Sequence, residues 1–303
     1  MPVGIHGTTG IATANWTTGG RPSSPTAGQQ GYNTTLKQME VYLGTDWISM
    51  AGKFTATGGD TITTAGDYTV HTFTSSGTFT PNKNGSVEYL VVAGGGGSAR
   101  ETWESGGGGA GGFLTATGFA CSASSALTVT IGAGGAGNQG GGSPYTGANG
   151  NNSVFSSITC IAGGAGGKFY ESGEDGGSGG GCGGHTTAAG DIGGSATAGQ
   201  GHDGGTNVNT GSRDGGSGGG GAGSAGLSNS GIHAGDGGAG LQSSINGTST
   251  YYCAGGAGSP GYPSGSYGDD GTGLVNAANR GHGGTTNEPV NGSSGVVIIR
   301  YLS

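Results

Sequence analysis

Two segments near opposite ends of the chain carry its longest apolar runs: Ser86-Val87-Glu88-Tyr89-Leu90-Val91-Val92-Ala93 and Gly295-Val296-Val297-Ile298-Ile299-Arg300-Tyr301-Leu302. A continuous apolar stretch of strand length predicts a strand covered on both faces. Pairing the first with the last in one sheet would close the domain and bring together the ends of everything between them. Further strands are expected over Asp67–Phe73 and Gly77–Pro81, rich in Thr, Val and aromatics and bounded by glycine. Leu127–Gly132 alternates cleanly, and Ser153–Ile161 contains two more apolar runs. Upstream, Met39–Leu43 alternates with a period of two. With Gly31–Asn33 it forms a hairpin across Thr34–Gln38, and Gly44-Thr45-Asp46 turns the chain again before Trp47. A lone hairpin is marginal in water, so this one is expected to pack on another element, with other copies of the chain the obvious candidates.

Glycine changes this picture. It supplies 81 of 303 residues, concentrated after Ala93. Glycine loses the most backbone entropy on folding, so isolated helices or strands of it are unstable and the body must either be disordered or pack many backbones side by side. Its clusters include AGGGG at 93–97, SGGGGAGG at 105–112, AGGAGG at 162–167, GGSGGGCGG at 176–184 and GGSGGGGAG at 215–223. Within them, two glycines followed by Ala, Ser or Gly make a period of three, the period of polyproline II. Glycine helices of this kind approach closely enough for N–H and C=O groups to bond between neighbours, which settles the backbone's hydrogen-bond accounting. The expected fold is therefore mostly β with a glycine-rich irregular body. An N-terminal β-hairpin module occupies 1–52; a β-sandwich-like frame with packed polyglycine II helices occupies 53–303.

Composition narrows the function. Collagen is excluded by the absent Gly-X-Y period and by only 8 prolines. Charged residues are 9%, too few for a solvated tail. A net charge of −8 with nine Lys and Arg argues against nucleic acid as a partner. No stretch is long and apolar enough for membrane insertion, and the N-terminus lacks the pattern of a signal peptide, so synthesis in the cytoplasm and placement by assembly are expected. Cys121, Cys160, Cys182 and Cys253 are widely separated and read as buried free thiols, with a disulfide as the alternative.

The motifs carry no recognisable chemistry. Gly-x-Gly-x-x-Gly recurs without strand-to-helix context, and Gly167-Lys168 is followed by Phe169 instead of Ser or Thr, so no nucleotide cofactor is expected. Cys182 with His185 makes only half a metal site, and Asp175, Asp203, Asp214, Asp236 and Asp269-Asp270 lack the nonapeptide of calcium-binding rolls. No cofactor, no metal and no catalytic residue is assigned. Aromatic residues, however, interrupt the glycine body at loop-like positions: Trp103, Tyr145, Phe169, Tyr170, Tyr262 and Tyr267. Such residues among Ser, Gly and Asn have the composition of adaptable binding loops. The equal alternative is that each covers an end of the glycine stack, the role to which Tyr251-Tyr252 leans.

Residues 19–49 resemble a short module near the N-termini of bacteriophage tail fibre, spike and other virion proteins. The match rests on Arg21-Pro22, Pro25, Gly28, Tyr32-Asn33-Thr34, Glu40, Tyr42, Gly44 and Trp47. Gln30-Gly31 stands where the module often has Ile-Arg. From about Thr69 to Tyr301 the chain resembles glycine-rich domains of phage and marine virus structural proteins, through Phe73, Gly77, Phe79, Pro81, Tyr89–Gly97, Val129–Gly132 and Gly295–Val297. The resemblance implies a non-enzymatic protein of the virion surface, a tail fibre or adhesin. Arg21, Pro22, Pro25, Tyr32, Tyr42 and Trp47 would belong to a module joining other virion proteins. The aromatic loops would meet a host cell-surface molecule, and a homotrimer is expected by analogy with fibres. A capsid decoration protein is the alternative, and an ice-binding protein a distant one.

Overall fold

The computed structural model describes residues 5–6, 10–11, 14–35, 38–50, 52–99, 104–138, 147–184, 192–208, 213–272, 278–286 and 291–303. Strands predominate, and among the described residues the one helical element is a 3-10 turn at Thr18–Gly20. No described helix is long and apolar enough to cross a membrane. The chain divides into two compact units, Met1–Thr55 and Ala56–Ser303.

The first unit holds a four-stranded sheet. The expected hairpin is present as Gln30–Asn33 paired antiparallel with Gln38–Tyr42. Its packing partners lie within the same unit: Ala14–Trp16 runs parallel beside the first arm and Trp47–Ser49 antiparallel beside the second. The hairpin therefore needs no second copy of the chain to become part of a sheet. The turn before Trp47 is closed by the Leu43 amide on the Asp46 carbonyl.

In the second unit, two five-stranded sheets face one another. One runs Ile158–Cys160, Ser153–Phe155, Leu127–Thr130, Gly77–Pro81, Ala56–Thr57, and the other Phe113–Cys121, Gly85–Val92, Val296–Leu302, Tyr68–Phe73, Thr61–Ala65. The first and last apolar runs do pair, with Val91 opposite Val297 and Tyr89 opposite Ile299. Both faces of that pair are covered, as their unbroken apolar character requires. Tyr89, Tyr301 and His71 meet Phe79 and Phe155 of the other sheet. Leu90, Val92, Val296 and Ile298 point the opposite way, onto Ile245, Tyr252, Cys253, Ala222 and Ala110. Arg300 closes the open end, its Nε donating to Glu88 at 2.8 Å and its guanidinium lying 4.3 Å over Tyr68.

The glycine clusters run away from this frame as extended segments with the hydrogen-bond period of polyglycine II. The segment 105–112 shows the arrangement. Gly106, Gly109 and Gly112 donate to Gly167, Gly164 and Ile161; Gly107 and Ala110 donate to Ser217 and Gly220; Gly108 and Gly111 donate to Gly284 and Gly281. In return, the carbonyls of Gly107 and Ala110 accept from Gly181 and Ser178, those of Gly109 and Gly112 from Gly96 and Ala93, and those of Ser105 and Gly108 from Ser259 and Gly256. Each step of three residues returns to the same neighbour, so this segment sits inside six others. The segment 215–222 is ringed in the same way. Glycine is required because of proximity: a Cβ at Gly108, Gly219 or Gly256 would fall inside 3 Å of a neighbouring carbonyl. The small residues Ala110, Ser178, Cys182, Ser217 and Ala257 occupy the positions where the packing leaves room, all buried.

Candidate functional site

The direction of these segments sorts their connections. Ala93, Gly112 and Gly295 adjoin sheet strands, and Ala93 bonds Gly112 directly. Seven residues along, at roughly 3.1 Å per residue, Ser105 lies some 20 Å from that level. There a second layer of bonds links the far ends: Glu104 donates to Pro260, Gly184 to Glu104, Tyr170 to Gly184, and Gly261 to Ile232. The loops around 168–172 and 260–267 therefore emerge at the end of the bundle opposite the sheets.

This places four of the six expected contact residues. Tyr170 and Tyr262 are just under half exposed at the far end, and Tyr267 follows in the same connection. Phe169 is half-buried, its ring 3.8 Å from that of Tyr170. Tyr170 holds a left-handed φ of +65°, unusual for a bulky residue. The Arg213 guanidinium lies 5.4 Å over the Tyr262 ring, and its Nε is 3.9 Å from Oε1 of the buried Glu104. Trp103 and Tyr145 lie outside the described residues. Tyr252, by contrast, is buried at the sheet end with Arg280 over its ring at 5.5 Å.

The family model of the glycine-rich domain matches residues 72–302, well over half of the chain. The chain belongs to the glycine-rich domain family. No curated protein matches it. The match takes in the glycine bundle and most of the frame, from the end of the strand Tyr68–Phe73 to the terminal strand, and leaves out the strands Ala56–Thr57 and Thr61–Ala65. The domain's acidic residues have a structural use that composition hides. Asp175, Asp203, Asp236 and Asp270 accept the amides of Ser195, Ala196, Asp269 and Ala257 through Oδ1. Asn149, Asn152, Asn229 and Gln200 do the same for Ala165, Ala162, Val208 and Ile161. No group of three potential metal-binding side chains exists among the described residues.

All four cysteines of the domain are free and buried. Burial pushes the Cys160 thiol up to about 12, so it is no nucleophile near neutral pH. His71 is enclosed between the sheets, Nδ1 2.6 Å from the Gly58 carbonyl and Nε2 3.2 Å from the Tyr301 hydroxyl. His282 lies between glycine segments, while His185 is outside the described residues.

The first unit is organised around a residue that sequence reading placed in the module without a role. Glu40 is buried and accepts from Arg21 Nε at 3.0 Å, Asn33 Nδ2 at 3.1 Å and Trp16 Nε1 at 3.3 Å. Arg21, with Asn33 and Trp16 assisting, holds the carboxyl down at about 2. Trp16 was not singled out by the sequence; its indole lies against Gly31, where any Cβ would collide with the ring. Trp47 packs on Trp16 at 4.7 Å and on Tyr42 at 5.5 Å, and the Tyr42 hydroxyl donates to Gly44. Pro22, Pro25 and Tyr32 are half-buried, Tyr32 on the face of its strand opposite to Gly31 and Asn33.

Proposed function

We propose that this protein is a non-enzymatic virion component of a bacteriophage, a tail fibre or adhesin that recognises the host cell surface. The observation that carries the reading is the segregation of the glycine-rich domain: sheets at one end, and aromatic-bearing loops 168–172 and 260–267 at the other. A bundle whose backbone bonds are made internally is a stiff spacer, and stiffness lowers the entropy lost when its loops bind. The module of Arg21, Pro22, Pro25, Tyr32, Tyr42 and Trp47 joins other virion proteins in this reading, and a homotrimer multiplies weak loop contacts by avidity.

The test is competition for adsorption. Purified protein added to host cells is expected to slow phage attachment, and Tyr170→Gly or Tyr262→Ala is expected to weaken that effect with the melting temperature unchanged. Full adsorption in the presence of saturating protein would remove the adhesin reading. Light scattering of the full chain tests the trimer, which a monomeric mass would exclude.

A further inference from the structure

Beside the 168–172 loop, a half-open cleft of about 260 Å³ is walled by Asn149, Glu171, Ser172 and Glu174 and floored by backbone of Gly147 and Gly166. Pockets for drug-sized ligands are larger, roughly 300–1,000 Å³, so this one admits a single small ring. Its polar groups are oriented by their other bonds. Asn149 Oδ1 accepts the Ala165 amide at 2.7 Å, which turns Nδ2 into the group available to a ligand. Ser172 Oγ accepts from Ile192 at 3.2 Å, which leaves its proton to donate. Glu171 and Glu174 supply acceptors, Glu171 being paired with Lys168 at 3.0 Å.

Donors and acceptors gathered in one small cleft match a ligand whose hydroxyls both donate and accept. Charge narrows the class. The described cations of this end, Lys168 and Arg213, already face Glu171 and Glu104. A phosphate or uronate in the cleft would meet carboxylates, and among the described residues of this end no cation is left to neutralise it. We propose that the cleft binds one neutral hexose unit of a surface saccharide, an assignment that rests on the adhesin reading and names its ligand.

Saturation-transfer NMR on the full chain tests this with glucose, galactose, mannose and N-acetylglucosamine, against glucuronate and glucose 6-phosphate. Transfer to at least one neutral sugar is expected, with little dependence on salt. Glu174→Ala and Ser172→Ala should each weaken it about tenfold, as loss of a hydrogen bond to a charged or oriented group does, with the melting temperature unchanged. No transfer to any neutral sugar, or an equal response to glucuronate, overturns the proposal. Protein that blocks adsorption but binds no neutral sugar defeats the ligand class alone. Protein that binds the sugar without blocking adsorption supports the cleft and defeats the adhesin reading.

Discussion

His282 Nδ1 accepts the backbone amide of Ala254 at 3.0 Å, in the interior between two glycine segments. Nδ1 is therefore unprotonated, and the proton sits on Nε2, which is buried without a partner among the described residues. Protonating Nδ1 would set donor against donor.

Stability of the second unit should accordingly depend on pH. Burial, reinforced by the charge of Arg280, lowers His282 from 6.5 to about 4. The unfolded chain takes up a proton near 6.5, the folded chain only near 4, so stability is lost as pH falls through that window and levels off below it. The loss is roughly 3 kcal/mol. His282→Asn, which keeps an acceptor for Ala254, should make a plot of melting temperature against pH much flatter. His71, also lowered by burial, adds to the slope in the same direction. An unchanged slope in the variant would exclude His282 as its source.

Substitution of single glycines should separate crowded positions from open ones. At Gly108 a Cβ would collide with the backbone of Gly96 and Gly284, in two neighbouring segments, whereas at Gly77 it meets only Phe73 at 3.7 Å. Gly108→Ala is expected to cost about 3 kcal/mol or more through overpacking, and Gly77→Ala less than about 1 kcal/mol. Urea titration measures both, and equal costs would contradict the packing described here.

Side-chain acceptors at the bundle's margin should matter in proportion to their burial. Asn229 is buried and accepts the Val208 amide at 2.7 Å while donating to the Gly231 carbonyl at 3.3 Å. Asn229→Ala should destabilise by about 1–3 kcal/mol. Hydrogen exchange at Val208 should rise with it; a protected Val208 amide in the variant would show that another group accepts it.

The first unit should be acid-sensitive through Glu40. Its carboxyl ionises at about 2 against the usual 4.5, with Arg21 the largest cause. Its contribution is full above 4.5 and disappears as pH falls to about 2. Arg21→Met, leaving a buried carboxylate under-compensated, should cost about 3 kcal/mol. Tryptophan fluorescence in a Trp103→Phe background reports this unit through Trp16 and Trp47, and a variant as stable as the parent at pH 7 would refute the role assigned to Arg21.

Legibility differed by element. The terminal apolar runs announced their strand and their double coverage, because the unbroken apolar stretches Tyr89–Ala93 and Val296–Ile299 put apolar side chains on both faces of the strand. The hairpin of the first unit was visible in its alternation, whereas its neighbour Ala14–Trp16 was not: three residues carry no period. Phe113–Cys121 was missed for a different reason. Its middle, Thr115–Gly118, is exposed and contains Ala and Gly, and pairing with Gly85–Val92 rather than propensity makes it a strand. The acidic residues among the glycines read in the sequence only as candidate metal ligands; their use as amide acceptors depends on which segment lies beside them.

By itself the sequence determined that the body would be glycine helices with a period of three, because only residues without a Cβ tolerate carbonyls at such distances. It also determined that the frame would be closed by its own ends. Tertiary structure alone decided which segment bonds which, since one glycine run is chemically like another and register is set by where the flanking strands pair. That choice of neighbours put Phe169, Tyr170, Tyr262 and Tyr267 toward the end away from the sheets and left Tyr252 buried beneath one.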